Sequence, residues 1–404
     1  MAESTKIKIL LGGVPLGCDN IGDEAILASA IAIFRRVIPN CELTVSTAQQ
    51  VETERKFNCK TLPLYGFDPN LPINELRQVI SNYDAFIWFG ATGLSDYPEV
   101  ACELLEIAQK GKLTTVLWNV GMNDTLNPML YRVRGKRLQL CRLVKLFTGV
   151  DCAAKLERWI TNRVKKRIAL ALRRCQLVVL RDAESLSELR KCGDFPDATF
   201  GADSAILQSS ANIDELPWNK DEHRLFNAAE KRIAICFSAQ SPLRDLSRFA
   251  AWLDHLNETE NVLTVMLPMN PKTDYALMNE LRRQLKHPRK TIMPKFQEPE
   301  EIQSVVAQCQ LVISSRLHLM ILALNYLVPC IGIARGTKIN SFLEKFGLPV
   351  AGTTDDVDFE VLDIQTHKYL ASNEFSTPAQ TARDKMLEKL SKAEKKLSAV
   401  FKKI

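Results

Sequence analysis

The chain has no CxxC pair. Its eleven cysteines are scattered over 404 residues without metal-ligand spacing, and their number is odd. That pattern argues against a zinc site and against a disulfide framework. Cys236, Cys309 and Cys330 sit inside apolar runs, so reduced, buried thiols of a cytoplasmic protein are expected. No apolar run reads as a membrane span. The most apolar stretch, residues 317–334, contains His318, Asn325 and Pro329 and is better explained as a helix followed by a strand. Residues 7–11 are short and run into glycines, as a first strand does, so no signal peptide is read. A net charge of only +6 gives no global argument for nucleic acid. The glycine-rich loop at 12–19 lacks the spacing of a dinucleotide fingerprint or a P-loop.

The chain is longer than one hydrophobic core usually supports, and 46% apolar with 25% charged residues is ordinary globular composition. Two domains are therefore expected. Short apolar, β-branched runs predict strands at 6–11, 43–46, 85–89, 115–120, 177–180 and 198–200, with helical patterns between them. Residues 207–230 are polar and without period, and read as a linker. Strand–helix alternation restarts at 232–237, 262–267, 291–293, 311–313 and 330–333. The reading is α/β: two doubly wound, Rossmann-like domains facing a cleft. Residues 1–206 form the first, 207–230 the linker and 231–375 the second. Residues 376–404 form a helix packed on the body, from apolar residues at 386, 390, 393, 397 and 400.

The stretch 311–349 carries the chemistry. A strand ends in Ser314, Ser315, Arg316 and His318, at the start of a buried helix. The next strand delivers Arg335, Gly336 and Lys338 just before another helix. In open α/β sheets such turns lie at the ligand edge, and a helix N-terminus favours an anion. Arg181 and Asp182 reach a similar strand end, either to hold an anion or as structural partners. Asp23 and Glu24 suit a helix first turn, whether or not they touch a ligand.

Residues 132–174 hold fourteen Lys and Arg against Asp151 and Glu157, a net +12. Leucines, Phe147 and Trp159 interleave with them, so one or two basic amphipathic helices are expected. Attraction to an anionic membrane surface, attraction to a phosphorylated carrier and a solvated cationic face remain open. Nucleic acid is disfavoured, because no aromatic platform or known binding module accompanies the charge.

The run S-R-L-H, about ten apolar residues, V-P, G-I and K-I-x-S-F-L-x-x-x-G-L-P resembles the C-terminal signature of the polysaccharide pyruvyl transferase family. At the other end Gly12, Gly13, Gly17, Asn20, Gly22, Asp23, Glu24, Ala25 and Ile26 resemble that family's G-N-x-G-D-E-A-I segment. Weaker similarity extends over residues 6–350, including Arg181-Asp182 and Gly201-Ala202-Asp203. Where the family more often has a run of glycines, this chain has Gly90-Ala91-Thr92-Gly93.

The resemblance implies a glycosyltransferase-B-like fold and transfer of a pyruvyl ketal from phosphoenolpyruvate to two hydroxyls of a sugar, in a polysaccharide or its lipid-linked precursor. The donor's carboxylate and phosphate need fixed cations, and its methylene carbon needs a proton. On the motif matches Arg316 binds donor, His318 is the general acid and Lys338 neutralises phosphate. Arg181, Arg335 and Ser315 add substrate contacts, and Asn20 and Asp23 face the acceptor from the N-terminal domain. No metal or cofactor is needed. Placement is expected to be cytoplasmic; a peripheral contact at the inner membrane face through 132–174 stays open, as the charge pattern of that segment leaves it. A nucleotide-sugar glycosyltransferase and a non-catalytic sugar- or carrier-binding protein of the same fold are the alternatives.

Overall fold

The computed structural model describes residues 6–372 and 375–404; the domain ranges above also include 1–5 and 373–374, which lie outside the described residues. Thirteen parallel strands are present among the described residues. They are β1 (Ile7–Gly12), β2 (Cys41–Ser46), β3 (Lys60–Leu62), β4 (Ala85–Phe89), β5 (Thr114–Val120), β6 (Leu177–Leu180) and β7 (Thr199–Phe200), followed by β8 (Lys231–Cys236), β9 (Val262–Met266), β10 (Thr291–Ile292), β11 (Leu311–Ser314), β12 (Cys330–Ala334) and β13 (Val350–Thr353). They build a seven-stranded sheet in the order β3-β2-β1-β4-β5-β6-β7 and a six-stranded sheet in the order β10-β9-β8-β11-β12-β13. Each is a doubly wound sheet, in which strand order reverses beside the first strand. Register at the two reversals pairs Leu11 with Ile87 and Ile313 with Ile235.

The central strands are legible because both of their faces are covered. All five residues of β4 and all four of β6 and β11 are buried, as in parallel sheets flanked by helices. In the first sheet Trp88 and Trp118 are fully buried, and Phe34 meets Trp118 edge-on at 6.0 Å.

The chain forms two compact units. Unit 1 comprises residues 1–18, 30–203 and 389–404; unit 2 comprises 19–29 and 204–388. Two sequence expectations are corrected by this division. Residues 19–29, expected on the N-terminal side, cluster with the second sheet. Residues 207–230, expected as an irregular linker, are a packed part of unit 2. They contain the helix Lys220–Ala228, and Trp218 closes on Phe226 at 5.0 Å and on Phe296 at 4.9 Å. This aromatic cluster holds the segment together with hydrogen bonds to the rest of the unit, such as Asn325 Nδ2 to the Gln208 carbonyl at 2.7 Å and the Ser304 hydroxyl to the Ala211 carbonyl at 2.8 Å, rather than a repeating apolar period. The helix Ser376–Phe401 buries Leu390, Ala393, Leu397 and Phe401, and its Glu394 pairs with Arg36 at 2.7 Å within unit 1.

Candidate active site

Unit 2 places Arg316 and His318 at the exit of β11, where strand order reverses beside β8, and Arg335 and Lys338 at the exit of the next strand, β12. Two serines join the exits of β8 and β11. The Ser314 hydroxyl donates to the Cys236 carbonyl at 3.0 Å and accepts from the Arg316 N–H at 2.9 Å. The Ser315 N–H donates to the same Cys236 carbonyl at 3.0 Å, and its hydroxyl accepts from the Ser238 N–H at 2.9 Å. Ser315 is fully buried. Its expected contact with substrate is therefore corrected to a structural one: the side chain points into the strand junction and sets the path of the loop carrying Arg316.

Arg316 precedes the helix Leu317–Asn325. Its Nε and Nη2 donate to Asp274 Oδ2 and Oδ1 at 2.9 and 2.5 Å. This is the bidentate geometry that carboxylate and guanidinium favour. The planar fork expected for the donor is thus engaged by Asp274. Asp274 has no exposed surface and also accepts from the Ala239 and Asn270 N–H groups at 3.0 and 3.1 Å. Arg335 follows β12; part of the residue is exposed at the edge, while its guanidinium turns inward and Nη1 donates to the Ser238 hydroxyl at 2.8 Å. Crowding by surrounding protein and then the neighbouring Arg316 lower its pKa from the ordinary Arg value, against Asp274, which raises it. Lys338, half-buried, lies in the first turn of the helix Thr337–Glu344.

His318 is in the first turn of Leu317–Asn325 and is half-buried. Against it lies Gly22, in the first turn of Ile21–Val37. A Cβ on Gly22 would sit 2.5 Å from His318 Cγ, closer than side chains approach, so only glycine fits. Three contacts hold this helix start in unit 2: Ile21 N–H donates to the Met269 carbonyl at 3.0 Å, Lys272 pairs with Asp19, and the Ser204 hydroxyl donates to the Ile26 carbonyl at 3.5 Å. Asn20 Nδ2 donates to Asp23 Oδ2 at 2.6 Å. Asn20 and Asp23 are thus brought to the His318 side rather than to unit 1, where the sequence reading put them.

Arg181 is not part of this cluster within unit 2. It sits at the exit of β6 in unit 1, 9% exposed, with Nε 3.2 Å from Asp182 and Nη1 3.6 Å from Asp203. Burial is the largest influence on its pKa and acts downward, but Asp182, Asp203 and Asp96 together outweigh it and hold the value above ordinary. Gly121 makes room for it: a Cβ there would lie 3.0 Å from Arg181 Cζ. Of the two sequence readings for Arg181, these contacts match the structural partner. Nearby, Asp96 accepts from the Thr92 hydroxyl and from Asn123 Nδ2, the latter at 3.3 Å.

Asp274 and Ser238 were invisible in the sequence. Asp274 is one acid in a polar helix, Pro271–Gln284, forty-two residues before its partner in the chain. Only the cap signal Asn270-Pro271 marks that helix start. Among the described residues no group of three or more His, Cys, Asp or Glu could hold a metal ion, and no helix is long and apolar enough to cross a membrane.

No curated protein matches the chain significantly. Solved structures match its fold over nearly its whole length at low identity. UDP-GlcNAc 2-epimerase of Methanocaldococcus jannaschii is 13% identical, with a TM-score of 0.55, covering 96% of this chain and 99% of that one. HepE of Anabaena, solved with UDP-glucose, is 11% identical with a TM-score of 0.58, covering 98% and 100%. A glycosyltransferase of Rickettsia africae is 11% identical with a TM-score of 0.58, covering 99% of each chain. Together with the two parallel sheets these establish a two-domain, Rossmann-like glycosyltransferase-B fold. The family model for polysaccharide pyruvyl transferases matches residues 20–337, from Asn20 through Arg316 and His318 to the turn before Lys338. The chain belongs to the polysaccharide pyruvyl transferase family.

Proposed function

We propose that this transferase moves a pyruvyl group from phosphoenolpyruvate to two hydroxyls of one sugar, in a polysaccharide or its lipid-linked precursor. The observation that carries the reading is two guanidiniums and an imidazole at the exits of the adjacent strands β11 and β12. Arg316 is paired with the buried Asp274, Arg335 is held by the Ser238 hydroxyl, and His318 follows Arg316 by two residues in the first turn of its helix. Phosphoenolpyruvate carries a carboxylate and a phosphate on one carbon, and both suit guanidinium partners.

His318 gives a proton to C3 of the donor, which leaves C2 electron-poor. One sugar hydroxyl forms a C–O bond there and loses its proton, which restores the imidazolium. The second hydroxyl forms the other C–O bond as the C2–O bond to phosphate breaks, and its proton leaves with phosphate. Lys338, at the start of its helix, and Arg316 neutralise the departing group. Asn20 and Asp23, beside His318, contact the acceptor. Work on an intracellular metabolite fits a cytoplasmic site of action.

The fold is shared with proteins solved with UDP-sugars, which favours a nucleotide-sugar glycosyltransferase as second reading. Ligand-dependent thermal stabilisation separates the two. Phosphoenolpyruvate is expected to raise the melting temperature, and Arg335→Ala to remove the shift. Stabilisation by a nucleotide sugar alone would support the second reading, and stabilisation by a free sugar alone the non-catalytic one.

A further inference from the structure

The structure points to a docking surface in unit 1 that the reaction does not use. We infer that the helical hairpin formed by Gly135–Thr148 and Cys152–Leu172 seats the protein on an anionic lipid bilayer. This inference rests on no assumption about the transfer reaction.

The hairpin is anchored at its far end. Val164, Ile168, Ala169, Ala171 and Leu172 are buried, and Arg167 Nε and Nη2 both donate to Glu106 at 2.9 Å. Its other arm is different. Gly135–Thr148 buries no residue at all. Leu140, Leu143, Leu146 and Phe147 stand 63%, 54%, 79% and 82% exposed. Their spacing of three, six and seven residues gathers them on one side of that helix. On the second helix Trp159 is 58% exposed, with the Arg163 guanidinium over its ring at 5.8 Å.

Charge selects the occupant. Residues 132–174 carry +12 while the whole chain carries +6, so everything else is net −6. The only two acids in the segment are already engaged. Asp151 pairs with Lys145 at 2.7 Å and caps the second helix, and Glu157 accepts from the Val133 N–H at 2.9 Å. An anionic bilayer offers both what the cations and what the apolar side chains need: phosphate at the surface and hydrocarbon just beneath it. A second copy of this chain would present the same +12 and be repelled. A nucleic acid or a small phosphorylated molecule would leave four large apolar side chains in water.

The full chain is sedimented with vesicles of phosphatidylcholine containing about a third phosphatidylglycerol, and with pure phosphatidylcholine. Partition onto the anionic vesicles is expected to exceed that onto neutral ones by about tenfold or more, and to fall steeply with added salt. Leu143→Asn with Phe147→Ser, and separately Lys136→Glu with Arg142→Glu, are each expected to lower it about tenfold. All four side chains are exposed, so unchanged circular dichroism and melting temperature confirm an intact fold. The inference is overturned by equal binding to both vesicle types or binding to neither. It is also overturned by a solution dimer that the Leu143→Asn/Phe147→Ser variant abolishes while vesicle binding is absent, and by binding to an oligonucleotide but not to vesicles.

Discussion

Gly22 packs against the side chain of His318, so that a Cβ at Gly22 would come 2.5 Å from His318 Cγ. The contact joins the first turn of Ile21–Val37 to the first turn of Leu317–Asn325. It brings two sequence motifs almost three hundred residues apart into one site within unit 2.

Gly22→Ala therefore forces the imidazole or the helix start to move. Overpacking of this kind costs about 1–3 kcal/mol, and a displaced proton donor costs turnover. Melting temperature and turnover number are both expected to fall. Wild-type turnover in Gly22→Ala would show that the position of His318 is not critical.

Asp274 and Arg316 form a buried bidentate pair, with side chains 0% and 12% exposed. Asp274→Ala leaves a guanidinium without its carboxylate and three backbone and hydroxyl donors without their acceptor. The expected loss is about 3–5 kcal/mol in urea unfolding. In a double-mutant cycle, Asp274→Ala/Arg316→Ala is expected to cost less than the sum of the single changes. Additive losses would mean that the pair is not coupled.

Lys338→Ala is expected to weaken phosphoenolpyruvate binding and lower turnover together, because a charge beside phosphate acts in both ground and transition states. Isothermal titration of the variant, alongside turnover, checks this. Unchanged donor affinity would remove Lys338 from the site.

Burial pushes the thiols of Cys236 and Cys309 up to about 12. Folded pKa values above the ordinary thiol value mean that the unfolded chain loses these protons first as pH rises. Stability from these groups is complete below about pH 8.5 and declines as pH climbs through their folded values, by about 1.4 kcal/mol per thiol per pH unit. In the native protein at pH about 8.5, iodoacetamide is expected to spare both and to modify them only after urea unfolding. Rapid native labelling of Cys309 would contradict its burial.

Much of this molecule was legible in its sequence, for identifiable reasons. β4 and β6 are runs of wholly buried residues, and periodicity finds such strands at their true ends. The edge strands β3 and β13 were missed, because Lys60–Leu62 and Val350–Thr353 are short and largely uncovered. The position of Arg316 and His318, at a strand exit before a helix, could be read because that signal is local. That of Asp274 could not, because a buried carboxylate is defined by its distant partner. The placement of Asn20 and Asp23 failed for the same reason: the Ile21–Met269 hydrogen bond that fixes them spans the chain.

Phosphate release from phosphoenolpyruvate across a panel of sugars bearing neighbouring hydroxyls, for wild type and His318→Ala, tests the central claim most directly. Wild type is expected to release phosphate with at least one acceptor and to leave a pyruvyl ketal on it. His318→Ala is expected to lower that rate by about 10²–10⁴-fold, while phosphoenolpyruvate still stabilises the variant against heat. Near-normal turnover by His318→Ala would contradict the assignment of the proton donor. Consumption of a nucleotide sugar, with no release from phosphoenolpyruvate, would contradict the reaction itself.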